Sequence, residues 1–139
     1  MEHERVSAQP TVVAAAVIGR RGLVLIARRR ENAPRGGLWE FPGGKVEAGE
    51  TDAQALVREL DEELRIRVSV GRPVETVVWA YSEITIELRA YECVAAGEPT
   101  PVEHEEVRWV RPDELASYPF CEADVPIAKR VASRADGAR

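Results

Sequence analysis

Glu59, Glu62 and Glu63 stand three and four residues apart, a spacing that gathers carboxylates on one side of an α-helix. Like charges so placed repel by about 0.2–0.5 kcal/mol per pair, so the pattern asks for compensation. Three carboxylates converging on one flank form a hard-oxygen site suited to Mg2+ or Mn2+, and so few protein ligands leave room for water and for substrate phosphate oxygens. The bland alternative is a solvated acidic helix face. The residues that must position these carboxylates weigh on that choice.

The helix is predicted from Thr51 to about Leu64: Thr51 and Gln54 form a capping-box pair, and Asp52 in the first turn complements the helix dipole. At 100° per residue Ala53, Leu56, Val57, Leu60 and Leu64 make an apolar stripe, with the three glutamates together on its flank. Ahead of it, residues 11–18 read as a strand buried on both faces, residues 19–22 as a turn, and residues 23–29 as a second strand completing a hairpin. Residues 30–44 hold two prolines and four glycines, a composition that denies helix and long strand and predicts a long functional loop. Strands follow at 74–80, 83–94 (alternating, one wet face) and 107–110, then a helical turn at 112–116 and a last helix over 124–132 with Pro126 in its first turn. The fold class is α/β in the broad sense (α+β), a mixed β-sheet sandwiched between helices. The expected organisation is a flexible N-terminus at 1–10, one domain at 11–132 and a flexible tail at 133–139.

The chain has 139 residues, a formal charge of -5, 45% hydrophobic and 31% charged residues. These values fit one globular domain and weigh against binding nucleic acid through its phosphates. A small anion can still bind where metal ions supply positive charge. No apolar run approaches the roughly 20 residues of a membrane helix, and the opening MEHERVSAQP lacks a basic stub and apolar core, so the expected location is the cytoplasm. Cys93 and Cys121 are read as inert small hydrophobes.

Taken whole, GKVEAGETDAQALVRELDEELRI resembles the Nudix box: Gly, five residues, Glu, seven residues, Arg, Glu, an aliphatic, any residue, Glu, Glu, any residue, Gly, an aliphatic. Gly44, Glu50, Arg58, Glu59, Leu60, Glu62, Glu63 and Ile66 meet it, and Arg65 stands where the family has Gly. Arg65 must either accept a left-handed helix end, at about 1 kcal/mol, or let the helix end differently. With LWEFPGGKVE before the box and the Ala123-Asp124 pair after Trp109, the likeness is to the MutT and CTP pyrophosphohydrolase branch of the Nudix hydrolases.

That resemblance implies an Mg2+-dependent pyrophosphohydrolase (Mn2+ as substitute) cleaving a nucleoside triphosphate to monophosphate and pyrophosphate. The triphosphate would be oxidised or modified, of the 8-oxo-dGTP or CTP/5-methyl-dCTP type, in a nucleotide-pool sanitation role. It further implies metal binding by Glu59, Glu62, Glu63 and the carbonyl of Gly43, with Glu59 as general base and Arg58 pairing with Glu50 to brace loop against helix beside Gly44. Glu103 is a second candidate base and metal ligand, in a register shared with Glu105 and Glu106; the alternative is an acidic solvent loop. His104 is read as exposed and left out of the site. Arg29 and Lys45 are assigned to the substrate, Phe41 to stacking on the base and Asp124 to reading it. The plainer readings are a surface cation for Arg29, core packing for Phe41 and an N-cap for Asp124. The expected partner is the nucleotide alone, bound by a monomer or homodimer. Rival readings are an ADP-ribose or nucleotide-sugar hydrolase and a non-catalytic nucleotide-sensing module.

Overall fold

The computed structural model describes residues 9–137. Most of the N-terminal stretch expected at 1–10, and the last two residues of the expected tail, lie outside the described residues. The elements are β1 (Thr11–Arg20), β2 (Leu23–Arg28), β3 (Trp39–Glu40), β4 (Gly43–Lys45), α1 (Asp52–Leu64), β5 (Arg67–Ala80), β6 (Thr85–Ala96), β7 (Glu106–Val110) and α2 (Val125–Gly137), with 3-10 turns at Pro112–Ser117 and Glu122–Asp124. Residues 133–137, expected as tail, continue α2.

The strands form a mixed sheet ordered β3-β2-β1-β6-β5, with β4 added to β1 and β7 to β2. The β1·β6 pair is parallel and the other pairs are antiparallel. The β1–β2 turn has positive φ at both Arg21 (55°) and Gly22 (80°), the conformation whose twist suits a two-residue hairpin. Leu56, Leu60, Leu64 and Ile66 pack beneath α1 on Ala14, Ala16, Ile18 and Leu25. On the other face Ile127 and Ala128 of α2 meet Val17, Ile26, Val77 and Leu88. The sheet thus lies between two helices, as the order of elements predicted. None of the helices among the described residues is long and apolar enough to cross a membrane.

Three expectations change. The loop at 30–44 contains β3 and β4, each three residues or fewer, too short to register as a pattern. Strand β5 begins at Arg67 rather than 74, because Gly71 and Pro73 sit at register shifts, and an edge strand tolerates such bulges and a proline. In α1 the buried arc is Ala55, Leu56, Leu60, Glu63 and Leu64, while Ala53 is exposed and Val57 is 46% exposed. The helix is therefore rolled toward its carboxylates, so Glu63 lies inside the packed face instead of on its flank.

Both ends of α1 follow from local chemistry. Thr51 accepts from the Gln54 N–H while Gln54 accepts from the Thr51 N–H, and Asp52 occupies the first turn. At the other end Arg65 adopts φ 58°, ψ 37°, and its N–H donates to the Asp61 carbonyl. It accepts the left-handed conformation at about 1 kcal/mol.

Candidate active site

Strand β4 is held against β1 through the pairs Ala15↔Gly43 and Ala14↔Gly44. A Cβ at Gly43 would sit 2.0 Å from the Ala14 carbonyl oxygen, and one at Gly44 would lie 2.3 Å from the Glu59 carboxyl carbon. Two glycines are needed because the backbone must pass between a neighbouring strand and a carboxylate. That passage is also what covers the carboxylate side of α1.

Arg58 locks the loop after β4 onto the helix. Its Nε and Nη2 donate to the two oxygens of Glu50 at 2.7 and 2.9 Å, Nη2 also reaches the Lys45 carbonyl at 3.0 Å, and Nη1 donates to Glu59 at 2.9 Å. This bidentate pair holds the Glu50 carboxyl down at about 2 and raises the Arg58 guanidinium further above its usual range.

Glu63 is 8% exposed, and its Oε1 is buried without a hydrogen-bond partner. Burial first, then the Glu59 carboxyl beside it and the charges of Glu40 and Glu103, push the Glu63 carboxyl up to about 10. Glu103 comes within range because the β6–β7 loop docks on the end of α1, the N–H groups of Thr100 and Val102 donating to the carbonyls of Leu64 and Glu63. These bonds satisfy carbonyls that a helix end leaves open. Glu62 stands apart, its side chain 56% exposed and 3.7 Å from Arg58 Nη1. Among the described residues no three His, Cys, Asp or Glu side chains are gathered into a coordination group: Arg58 engages Glu59, and Glu62 is exposed where Glu63 is buried. Even so, an orphaned buried oxygen, an all-oxygen donor set and a glycine cradle fit a divalent cation.

From these carboxylates a cleft of about 380 Å³ runs along the sheet. Its lining includes Gly43, Gly44, Lys45, Glu63 and Glu103, then Arg29 and Glu40, then Arg35, Tyr81, Cys121 and Asp124. Glu40 perturbs both Glu63 and Asp124, which places it between the two ends. Although its side chain is only 18% exposed, the Glu40 carboxyl is held below its usual range: the bonds from His104 and Arg29 outweigh desolvation. His104 Nε2 lies 2.9 Å from one Glu40 oxygen and Arg29 Nη1 3.0 Å from the other. Asp124 is 6% exposed and accepts the Phe41 N–H at 3.0 Å. Burial, followed by the charge of Glu40, pushes its carboxyl well above the ordinary range.

Of the residues expected in the site, Arg29, Phe41, Gly43, Gly44, Lys45, Glu63, Glu103 and Asp124 line this cleft; Glu59 lies against Gly44 and beside Glu63 without lining it, and Glu62 is not among the lining residues. Arg29 Nε is also tied to the Pro34 carbonyl at 2.7 Å. Phe41 takes the core reading in large part: it is 3% exposed and stacks on Phe120 at 5.4 Å, so it forms cleft floor while its N–H holds Asp124. The Asp124 carboxyl thus bonds across the fold, to a residue 83 positions away.

Sequence reasoning missed Glu40, Arg35 and Tyr81 and wrongly placed His104 in solvent. His104 is 6% exposed, with a buried Nδ1 lacking a partner. Only the run LWEF, an acidic residue between two aromatics, marked Glu40 as unusual.

Residues 13–130 match the family model described as NUDIX domain. The CTP pyrophosphohydrolase of Escherichia coli (strain K12) is 42% identical over 116 residues, 83% of this chain and 86% of that protein. A putative 8-oxo-dGTP diphosphatase 2 of Mycobacterium tuberculosis (strain ATCC 25618 / H37Rv) is 40% identical over 117 residues, covering 81% and 82%. Among solved structures, the solution structure of the E. coli ORF135 protein superposes with a TM-score of 0.84 at 38% identity, covering 96% of each chain.

Proposed function

This chain belongs to the NUDIX domain family and is a Nudix hydrolase; on that premise we propose that it is an Mg2+-dependent pyrophosphohydrolase of nucleoside triphosphates. The products are a nucleoside monophosphate and pyrophosphate. Its substrates are modified or cytosine nucleotides, of the kinds named for its relatives, drawn from a cytoplasmic pool. The observation that carries this reading is a cleft with two unlike ends: the Glu63 and Glu103 carboxylates at one, and the buried Asp124 carboxyl at the other. One end suits phosphate chemistry and the other a base.

Glu59, Glu63, Glu103 and the Gly43 carbonyl, with Glu62 turned in from its exposed position, would hold Mg2+, which would supply positive charge against the phosphate oxygens. The chain's residues do the rest. Glu59 takes the proton of the attacking water as the anhydride oxygen–phosphorus bond breaks and pyrophosphate leaves with the electron pair. Arg58 fixes the Glu59 carboxylate through its 2.9 Å bond, and Glu50 fixes Arg58. Lys45 and Arg29 offer cations along the phosphate chain. Asp124, whose carboxyl burial pushes well above the ordinary range, accepts from Phe41 with one oxygen and, when protonated, donates from the other to an acceptor on the base.

The test is a screen with Mg2+ of 8-oxo-dGTP, dGTP, CTP, 5-methyl-dCTP, 2-hydroxy-dATP and ADP-ribose, ranked by kcat/KM, with Glu59→Gln and Glu62→Gln alongside. The expected result is pyrophosphate release from a triphosphate, suppressed in both variants. Preference for ADP-ribose would move the assignment to nucleotide sugars. Wild type as inert as the variants on every substrate would leave a binding module.

A further inference from the structure

Arg35 holds an unfavourable backbone conformation in the loop of residues 30–38. Its φ is 57°, in the left-handed region, although Gly36 and Gly37 follow at once and would pay no such penalty. The loop does not fold around this side chain: Ala33 N–H bonds the Arg30 carbonyl, Gly37 N–H the Arg29 carbonyl, and Arg29 Nε the Pro34 carbonyl. A strained arginine whose side chain the loop does not use points to a role elsewhere.

The side chain crosses to the β5–β6 turn. Its guanidinium carbon lies 4.2 Å from the centroid of the Tyr81 ring, and Nη1 donates to Glu83 at 2.6 Å. Tyr81 is itself fixed to the far end of the cleft, since its hydroxyl accepts the N–H of Ala123 at 2.8 Å, one residue before Asp124. Arg35, Tyr81 and Asp124 line the same cleft. Glu83 pairs the charge at Nη1, the Tyr81 ring lies beside the guanidinium carbon, and the side chain, 24% exposed, lines the cleft. A planar delocalised cation stacks on aromatic rings, whereas a lysine ammonium cannot.

We propose that Arg35, laid on Tyr81, is the stacking platform for the nucleobase and a specificity-determining residue, favouring a planar ring over a bare phosphate chain. The inference rests on the nucleotide reading above. Gripping phosphate is the competing role for an arginine; it fits less well because Glu83 already pairs the charge and because Arg35 stands at the Asp124 end of the cleft.

Arg35→Gly suits the backbone, and Arg35→Lys keeps charge without the plane. Arg21→Gly is the matched control, at φ 55° in the β1–β2 turn outside the cleft. Calorimetric Kd values for dGMP, CMP and inorganic tripolyphosphate are compared with KM and kcat for dGTP and CTP under Mg2+. Arg35→Gly should raise nucleotide Kd and KM about tenfold, with kcat within about twofold, tripolyphosphate Kd unchanged and Tm unchanged or higher. Arg35→Lys should follow Arg35→Gly, and Arg21→Gly should follow wild type. Wild-type KM in Arg35→Lys, equal weakening of tripolyphosphate, or unaltered nucleotide Kd in Arg35→Gly would each overturn the platform. If wild type turns over neither dGTP nor CTP, KM and kcat are compared on the triphosphate that ranks first in the screen above; if it turns over none of those, the catalytic reading falls and the monophosphate Kd alone decides: a tenfold weakening upholds the platform, and absent wild-type binding removes it.

Discussion

Glu63→Gln should make the metal-free protein more stable at neutral pH while removing its response to Mg2+. In the folded chain the Glu63 carboxyl is raised from 4.5 to about 10 by burial and by Glu59, so at pH 7 it stays protonated when folded and ionises when unfolded. A raised carboxyl favours the fold fully only below its unfolded value, and that contribution drains away as pH climbs toward the folded value. Over the interval from 4.5 to pH 7, at about 1.4 kcal/mol per pH unit, the loss is about 3 kcal/mol. Glutamine cannot ionise, and its amide donates to Glu59 as the protonated carboxyl does. In EDTA, urea denaturation should therefore show the variant level with wild type at pH 4 and about 3 kcal/mol more stable at pH 7, or roughly 10 °C in Tm. Mg2+ at pH 7 should stabilise wild type and leave the variant unmoved. A variant less stable than wild type at pH 7, or a difference that does not grow between pH 4 and 7, would refute the reasoning.

Gly44→Ala places a Cβ 2.3–2.6 Å from the Glu59 carboxyl atoms; kcat should fall about 100-fold with circular dichroism unchanged, and kinetics within threefold of wild type would show that Glu59 has no such constraint. Arg65→Gly relieves the left-handed C-cap at some cost in unfolded-chain freedom, so urea midpoints should give a net gain of about 0.5 kcal/mol with similar turnover. A collapse of its activity would instead assign the arginine a part in the reaction. Asp124→Asn reproduces a neutral carboxyl that accepts from Phe41 and donates outward, and should keep the order of base preference at pH 7, whereas Asp124→Ala should blur it by about tenfold in the ratio of kcat/KM values. Identical behaviour of the two variants would show that the base is read elsewhere.

Much of this protein is local, and the local part was legible. Thr51, Asp52 and Gln54 start α1 with bonds closed within one turn, and spacing alone sets Glu59 and Glu63 on adjacent positions of the helix surface. Arg65 at the glycine position of the box told where the strain would lie, because a left-handed cap depends on one residue's φ. The buried runs of β1 and β2 and the order of elements carried the layered fold. What lay beyond the sequence depends on which segment lies over which. The apolar stripe of α1 was read as Ala53, Leu56, Val57, Leu60 and Leu64, yet β4 and the β6–β7 loop cover its carboxylate flank, so Leu56, Leu60 and Leu64 stay buried, Glu63 joins them and Val57 is exposed. Phe41 had two readings of equal standing until Phe120 was found against it. His104 looked like loop surface and is interior because Glu40, 64 residues earlier, meets it. Arg35 and Glu83, 48 residues apart, belong to no common motif. Carboxylate chemistry is written in spacing along one helix; the Asp124 end of the cleft is made of residues from three separate segments, carrying Arg35, Tyr81 and the Cys121–Asp124 turn, and only their packing brings them together.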